Sequence, residues 1–440
     1  MSRKGRRQDP ARSAAFKILR AVTANGAYAN LELARQRGAL SSQDAGFATE
    51  LVSGTCRAMG TYDQILVAAS GRELRTLQPA VVDILRLGAH QLLNMRVPAH
   101  AAISATVDLA ALEVGERLVG LVNAILRKVA ARDWLGWLEV LGENEDNLGR
   151  IALANYHPRW IAEAFLDLLP LGELIETFEA NNAPAKPTLV VRPGLAEVSE
   201  LGGEPARFSP YGAYADGDPA SIAAVAEGRA GVQDEGSQLV ALAFSRVEAP
   251  AGPWLDLCAG PGGKTAILAG LAAQQGRRLV AAERHAHRAE LVSSNLRAFP
   301  EAISPTVLTA DSTRPPWAPG SFAAVLADVP CTGLGALRRR PESRWRHQPG
   351  DVATLNVLQR ELLASAINSV PSGGVVAYVT CSPHQAETAA IVAGVADQTD
   401  VLSAPEYLPE VPNAALGDFV QLWPHRHGTD AMFLGLLRRR

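Results

Sequence analysis

The sequence predicts a multidomain protein: an all-α N-terminal domain, a small α+β linker domain, and a C-terminal doubly wound α/β domain with an antiparallel terminal strand. Three observations predict it. The chain has 440 residues, too many for one ordinary core. In the first third, apolar residues recur at helical spacing. From Trp254 onward, short apolar runs alternate with helical patterns, as in a parallel sheet covered by helices. The expected boundaries are 1–140, 150–245 and 246–440.

In the first domain, ERLVGLVNAILRKV places Leu118, Leu121, Val122, Ile125, Leu126 and Val129 on one helical face. RSAAFKILRAV, FATELVSGTCRAM, AVVDILRLGAHQLLNM and AISATVDLAALEV repeat the spacing, and Gly71, Pro98 and Gly115 separate them. A bundle of about five to seven helices follows from this pattern. The polar stretch GENEDNLGR, 142–150, reads as a linker. YHPRWIAEAFLDLLP then reads as a helix and PTLVVRPG as a strand, which gives the middle domain its mixed character. In the last domain the strands are expected at 254–258, 278–283, 306–310, 322–328 and 374–380. Two further strands, 419–424 and 431–437, form an antiparallel hairpin at the sheet's end.

Composition restricts the function classes. Apolar residues make up 48% of the chain and charged residues 20%, as in soluble globular proteins. No apolar run reaches the ~18 residues of a membrane span. The basic start, MSRKGRRQDPARSAAF, lacks the apolar core of a secretory signal, so a cytoplasmic protein is expected. That stretch is either a solvated tail or a phosphate-contacting arm. The net charge of −3 provides no global attraction to nucleic acid, so RNA binding would rest on local patches. The four cysteines, Cys56, Cys258, Cys331 and Cys381, form no Cys-x-x-Cys pair; neither a zinc site nor, in a cytosolic setting, a structural disulfide is expected. Cys56 lies within a helical pattern and reads as a small buried hydrophobe.

The chemistry begins at WLDLCAGPGGKTA, 254–266. A Walker A loop needs a glycine where Cys258 stands, and a Gly-x-Gly-x-x-Gly loop needs one where Thr265 stands. Three glycines and a proline in four residues still mark a loop stripped of side chains so that a ligand can approach its amides. The following strands end in Glu283, Asp311 and Asp328. Glu283 stands about twenty residues after the glycines, where doubly wound folds place a ribose-binding acid. Singly each acid reads as a surface charge or a helix cap; together at strand ends they point to a ligand rich in hydroxyls and amines. DVPCTG and TCSP place Cys331 and Cys381 just beyond neighbouring strands, where both enter one crevice.

LDLCAGPGGKT, ADVPCTGLGALRRRPESRWR and YVTCSP together resemble the RNA 5-methylcytosine methyltransferases that use S-adenosylmethionine. The resemblance covers nearly the whole chain. ANLELARQ and VNAILRKV resemble a NusB-like RNA-binding domain, and VQDEGSQLVALA resembles the lead-in to a Rossmann-like methyltransferase domain. This is the arrangement of the RsmB/Sun/Fmu group, which acts on small-subunit ribosomal RNA. The resemblance implies S-adenosylmethionine as cofactor, held by Cys258, Ala259, Gly260, Pro261, Gly262, Gly263 and Lys264 at its methionine part. Glu283 would hold the ribose, Asp311 the adenine, and Asp328 would lie near both cofactor and base, with Arg288 assisting. It further implies Cys381 as the nucleophile that adds to C6 of cytosine, Cys331 as an aid to its release, and Asp328 as a catalytic partner of the base. Spacing alone does not assign the two cysteine roles. Glu283 stands where aspartate is frequent, and Thr332 where serine is frequent; each keeps the needed group.

Weaker signals remain. The run LRRRPESRWR, 337–346, is expected to face RNA, with Arg338, Arg339 and Arg340 on phosphates. His384 either tunes a thiolate or is an ordinary loop histidine, and Glu387 reads as a helix acid behind the site. His425 and His427 are isolated from other ligand types, so no metal is expected. The expected partner is ribosomal RNA, with no membrane, and a monomer is favoured. Transfer RNA as substrate, and a non-catalytic NusB-like RNA-binding or antitermination factor, are the competing readings.

Overall fold

The computed structural model describes residues 8–440, so the first seven residues of the basic start lie outside the described residues. The chain divides into two compact units, one made of the residues up to Asn182 with Leu337–His347, the other of Ala183–Ala336 with Gln348–Arg440.

The first unit is helical. Its helices are α1 (Pro10–Asn25), α2 (Ala29–Gln36), α3 (Ser42–Ser70), α4 (Pro79–Leu93), α5 (Ala99–Glu113), α6 (Val119–Val129), α7 (Trp134–Leu141), α8 (Asn147–Ala154), α9 (Arg159–Leu166) and α10 (Leu171–Asn182). Asp9 begins α1 by accepting the Arg12 N–H at 2.9 Å, and Asp133 does the same for Gly136 at α7. The core joins Ile18 and Leu19 of α1, Leu51, Val52, Cys56 and Ile65 of α3, Ile84 and Leu85 of α4, and Leu126 of α6. Cys56 is fully buried there. The expected linker at 142–150 is instead a turn leading into α8. Its acids have local work: Asp146 accepts the Gly149 N–H at 2.8 Å and pairs with Arg159 at 2.7 Å. The composition was that of a linker, but the same residues satisfy a helix N-terminus.

The second unit contains both sheets. The smaller has β1 (Thr188–Val191), β2 (Glu204–Pro205), β3 (Gly212–Tyr214) and β4 (Ala230–Val232), in the order β2-β3-β1-β4. Between β3 and β4 lies α11 (Ala223–Ala226), and after them α12 (Glu235–Arg246). The Glu235 carboxylate accepts the N–H groups of Phe208 and Ser209 and the Tyr214 hydroxyl, which fixes the small sheet to α12. The larger sheet has β5 (Trp254–Asp256), β6 (Leu279–Glu283), β7 (Thr306–Thr309), β8 (Ala324–Asp328), β9 (Val375–Thr380), β10 (Thr399–Leu402), β11 (Ala415–Leu416), β12 (Phe419–Gln421) and β13 (Phe433–Arg439). Its helices are α13 (Gly263–Gln274), α14 (Ala286–Asn295), α16 (Pro349–Ser369), α17 (Ala389–Ala393) and α18 (Pro424–His427), while α15 (Ser343–Arg346) belongs to the first unit.

The strand order is β11-β12-β13-β9-β8-β5-β6-β7, with β10 on β13. Neighbours from β7 to β9 are parallel, and β13 is antiparallel to β9. Successive residues alternate between two cores, because side chains of a strand point to opposite faces. Trp254, Leu326 and Ala377 join α12 and α13 residues such as Phe244 and Ile267; Leu255, Val325 and Tyr378 join Leu362, Leu363 and Ala366 of α16. Helix α12 thus packs on the large sheet, so the small sheet and the large one share a compact unit rather than standing apart at residue 245. β12 and β13 do pair antiparallel, but α18 lies between them. The chain goes one way from β5 to β7 and then returns to the other side of β5 with β8. That reversal opens a crevice at the C-terminal ends of β5 and β8, where doubly wound sheets bind ligands.

The arginine-rich run corrects its expected role in part. Within the first unit, Arg344 is fully buried and donates to the Tyr156 carbonyl at 3.1 Å and to Asn182 Oδ1 at 2.8 Å. The Trp345 indole N–H donates to the Cys56 and Arg57 carbonyls, each at 3.0 Å. Arg340 lies over the Tyr28 ring at 4.3 Å. These side chains meet protein groups, and Arg344 leaves no face for a phosphate. A side chain at Gly60 would begin 2.2 Å from the Trp345 ring, so only glycine leaves room for the indole. Gly60→Val is therefore expected to destabilise the helical unit by about 1–3 kcal/mol, as overpacking does. Thermal unfolding of the full chain followed by circular dichroism measures it.

Candidate active site

The glycine loop is woven between strands. Leu257 N–H donates to the Leu326 carbonyl and Ala259 N–H to the Ala282 carbonyl, each at 2.9 Å, so backbone bonds to β8 and β6 set the loop's path out of β5. Thr265, in the first turn of α13, donates to Asp256 Oδ2 at 2.7 Å. Burial raises the Asp256 pKa to about 7; the Thr265 bond opposes this and the charge of Asp328 adds to it. A Cβ at Gly260 would lie 2.1 Å from Glu283 Oε2, so the loop and the strand-end acid require a glycine there. Gly260 N–H donates to Glu283 Oε2 at 3.1 Å, and His285 N–H donates to Oε1 at 2.9 Å. Arg288 donates to the Gly260 carbonyl at 2.5 Å and lies 3.7 Å from Glu283, bracing loop and acid together.

Asp311 follows β7. The Thr313 hydroxyl, at 2.8 Å, and the Thr313 N–H, at 3.0 Å, hold its carboxyl below the usual carboxylate range. Asp328, the last residue of β8, pairs with Lys264 of the glycine loop at 2.8 Å. Burial works against the Lys264 charge, but Asp328 outweighs it and raises the pKa. Lys264 also meets the Ser237 hydroxyl at 3.3 Å. The fold therefore brings the glycine loop, Glu283, Asp328 and Arg288 into one bonded network, with Asp311 at the next strand end.

The Cys331 and Cys381 sulfurs lie 3.5 Å apart. β8 and β9 run parallel with Asp328 opposite Val379, so both chains leave the sheet at one edge. Gly335 N–H donates to the Cys381 carbonyl at 2.8 Å and ties the two exits. The Cys331 thiol, hydrogen-bonded to Cys381, lowers the Cys381 pKa; burial and Asp328 oppose this, and Lys264 adds to it. Cys331 is raised well above an ordinary thiol, first by that same bond and then by burial. The two shifts run in opposite directions, Cys381 toward the thiolate and Cys331 away from it. Burial, and then nearby acids, push Cys258 well up, so its backbone and not its sulfur serves the loop. His384 does not reach the thiols by a hydrogen bond: its Nδ1 accepts the Ala386 N–H at 3.2 Å and caps a turn.

Sequence reasoning noted Thr332 only as a variant of its motif and missed Ser237, Ser382 and Gln359. Thr332 and Ser382 each follow a cysteine, which was the available signal; Ser237 lies in VQDEGSQ, noted only as a lead-in. Among the described residues no His, Cys, Asp and Glu cluster could hold a metal, and no helix is long and apolar enough to cross a membrane.

A bare loop at a switch point, an acid at the end of each of three strands and a neighbouring pair of thiols match the S-adenosylmethionine-dependent methyltransferase class that the motifs resemble. The residues fit that cofactor: the glycine at 260 lets the loop lie directly against Glu283, and Glu283 is buried there with each carboxylate oxygen accepting one backbone amide. The model of the family described as 16S rRNA methyltransferase RsmB/F matches residues 242–438, and that of the NusB family matches 9–131. The Mycobacterium tuberculosis protein Rv1407, named as a methyltransferase, is 49% identical over 98% of this chain and 97% of its own. Ribosomal RNA small subunit methyltransferase B of Pseudomonas putida is 31% identical over 87% of each chain. The crystal structure of PH0851 superposes with a TM-score of 0.82 at 21% identity, over 98% of this chain and 100% of that one. NSun6 from Pyrococcus horikoshii, solved with SFG, superposes at 0.55 and 16%, over 64% and 98%. The chain belongs to the RsmB/F methyltransferase family, and its N-terminal helices form a NusB domain.

The thiol pair gives a pH signature. Because the Cys381 pKa is lowered, its thiolate is present at lower pH than that of a free cysteine. Alkylation of Cys381, followed by peptide mass spectrometry, should level off below the ordinary cysteine value of 9.0. Cys331→Ala removes the donor and should move that inflection upward.

Proposed function

We propose that this protein methylates C5 of a cytosine in small-subunit ribosomal RNA through a covalent bond between Cys381 and C6 of the base. The observation that carries this reading is the 3.5 Å sulfur pair beside the Lys264–Asp328 ion pair. Carbon 5 of cytosine is a poor nucleophile. The Cys381 thiolate adds to C6, and the electron pair displaced from the C5–C6 double bond makes C5 enamine-like. S-Adenosylmethionine supplies the methyl group when bound, held by the backbone of 258–263 with Lys264, and by Glu283, Asp311 and Arg288. Asp328, fixed by Lys264, hydrogen-bonds the cytosine ring and assists its activation. Loss of the C5 proton to a base then restores the double bond and expels Cys381 as thiolate. Cys331, adjacent to the sulfur that leaves, assists this release. The target base must be out of its stack to reach the thiols. The NusB domain supports an RNA substrate, and the ribosomal assignment follows the family description.

Cys331→Ala protein incubated with ribosomal RNA and S-adenosylmethionine should accumulate a protein–RNA adduct that survives denaturing electrophoresis. Cys381→Ala should form none and lose methyl transfer by three orders of magnitude or more, the range for loss of a nucleophile. An adduct that needs Cys331 and not Cys381 would reverse the two roles.

Bisulfite sequencing addresses the substrate. Cells lacking the gene should convert one 16S cytosine that resists conversion in the parent strain. A lost signal in transfer RNA instead would move the reading to that substrate.

A further inference from the structure

Glu387 is fully buried behind the two cysteines. One carboxylate oxygen accepts the Thr332 N–H at 2.9 Å, and the other accepts the Thr332 hydroxyl. A carboxylate only accepts, so the Thr332 hydroxyl proton is committed to Glu387. The Ser382 hydroxyl, 3.1 Å from Thr332 Oγ1, must therefore donate to it. His384 N–H in turn donates to Ser382 Oγ at 3.3 Å, so the chain of bonds has one direction throughout. Thr332 follows Cys331 and Ser382 follows Cys381. The acid thus grips the residue after one thiol and, through it, the residue after the other.

Further bonds hold the acid itself. Gln359 Nε2 donates to Glu387 at 3.1 Å and to the Pro330 carbonyl at 2.9 Å, on the other side of Cys331. The Tyr378 hydroxyl donates to the Glu387 carbonyl at 2.8 Å. Thr332, Ser382, Gln359 and Glu387 are all at most 2% exposed. Such a network is costly to bury and costlier to leave half satisfied, so it fixes a single arrangement of its members.

We infer that Glu387 is a positioning residue that locks the Cys331 and Cys381 loops together and so sets the distance between their sulfurs. Glu387 touches neither base nor cofactor in this role. The inference deepens the proposed reaction and rests on it only for its kinetic consequence.

Two measurements test it separately. The first needs no RNA and no cofactor: phenylarsine oxide, which bridges two adjacent thiols, titrates the folded protein. Wild type should bind one equivalent tightly, and Cys56→Ser/Cys258→Ser should leave that stoichiometry unchanged. Glu387→Ala should weaken binding by tenfold or more while the far-ultraviolet dichroism is retained. The second is methylation: Glu387→Ala should lower kcat at least tenfold and leave KM for S-adenosylmethionine within about twofold. Glu387→Gln, whose amide can accept from Thr332 N–H and donate to Thr332 Oγ1, should recover most of both losses. Thr332→Val, which keeps the backbone grip but breaks the link to Ser382, serves where Glu387→Ala does not fold, and should weaken arsenical binding likewise. Retention of both arsenical binding and kcat in folded Glu387→Ala overturns the inference. Glu387→Gln that binds the arsenical but turns over no faster than the alanine variant overturns it too, since charge and not position would then be at work. Wild type that binds the arsenical but transfers no methyl group overturns the proposed reaction and leaves the positioning role standing.

Discussion

A hydrogen bond between two sulfur atoms is the interaction on which the site depends, and it exists because two parallel strands end together. Adjacent strands in a sheet lie roughly 4.8 Å apart. Loops that leave β8 and β9 at one edge can therefore place their sulfurs 3.5 Å apart without distorting the sheet. The contact makes the two thiols chemically unlike: it shifts Cys381 toward the thiolate and Cys331 away from it. The asymmetry comes from surroundings and not from residue type. Lys264 stands closer in effect to Cys381, while the charge of Glu387 bears on Cys331.

The second constraint is the disposal of buried polar groups. The loops after β5, β6 and β8 carry backbone amides that no regular ladder can satisfy. The acids of the site take them up: Glu283 accepts from Gly260 and His285, and Glu387 accepts from Thr332. Each carboxylate thus has structural work in addition to any ligand it meets. Asp256 is the exception, with its Oδ1 unpartnered and its pKa raised to about 7.

Much of this was legible in the chain. The glycine loop, the acids at the ends of β6, β7 and β8, and the two cysteines are local signals: each is a few residues at a strand exit, and strand exits follow from hydrophobic pattern. β10 and β11 were not found, since strands of four and two residues at the margin of a sheet carry little pattern. Stretch 142–150 has the composition of a linker and the capping geometry of a helix start, and composition cannot separate the two. The inward half of the arginine run, Arg344 and Trp345, was illegible for a different reason. Its charge is visible in sequence, but the carbonyl that receives the Trp345 indole belongs to Cys56, 289 residues earlier. Arg344 is likewise capped by groups of Tyr156 and Asn182. Partners so distant leave no trace in local spacing.

The embedding of Leu337–His347 among the N-terminal helices bears on how the molecule is made. A ribosome releases Asn182 about 155 residues before Leu337. At roughly 5–20 residues per second, the helices wait on the order of ten seconds for the peptide that fills the space beside Gly60. Leu337–His347 thus joins, last of all, a set of helices whose own core holds none of its residues, and neither unit can be excised along a single cut in the chain.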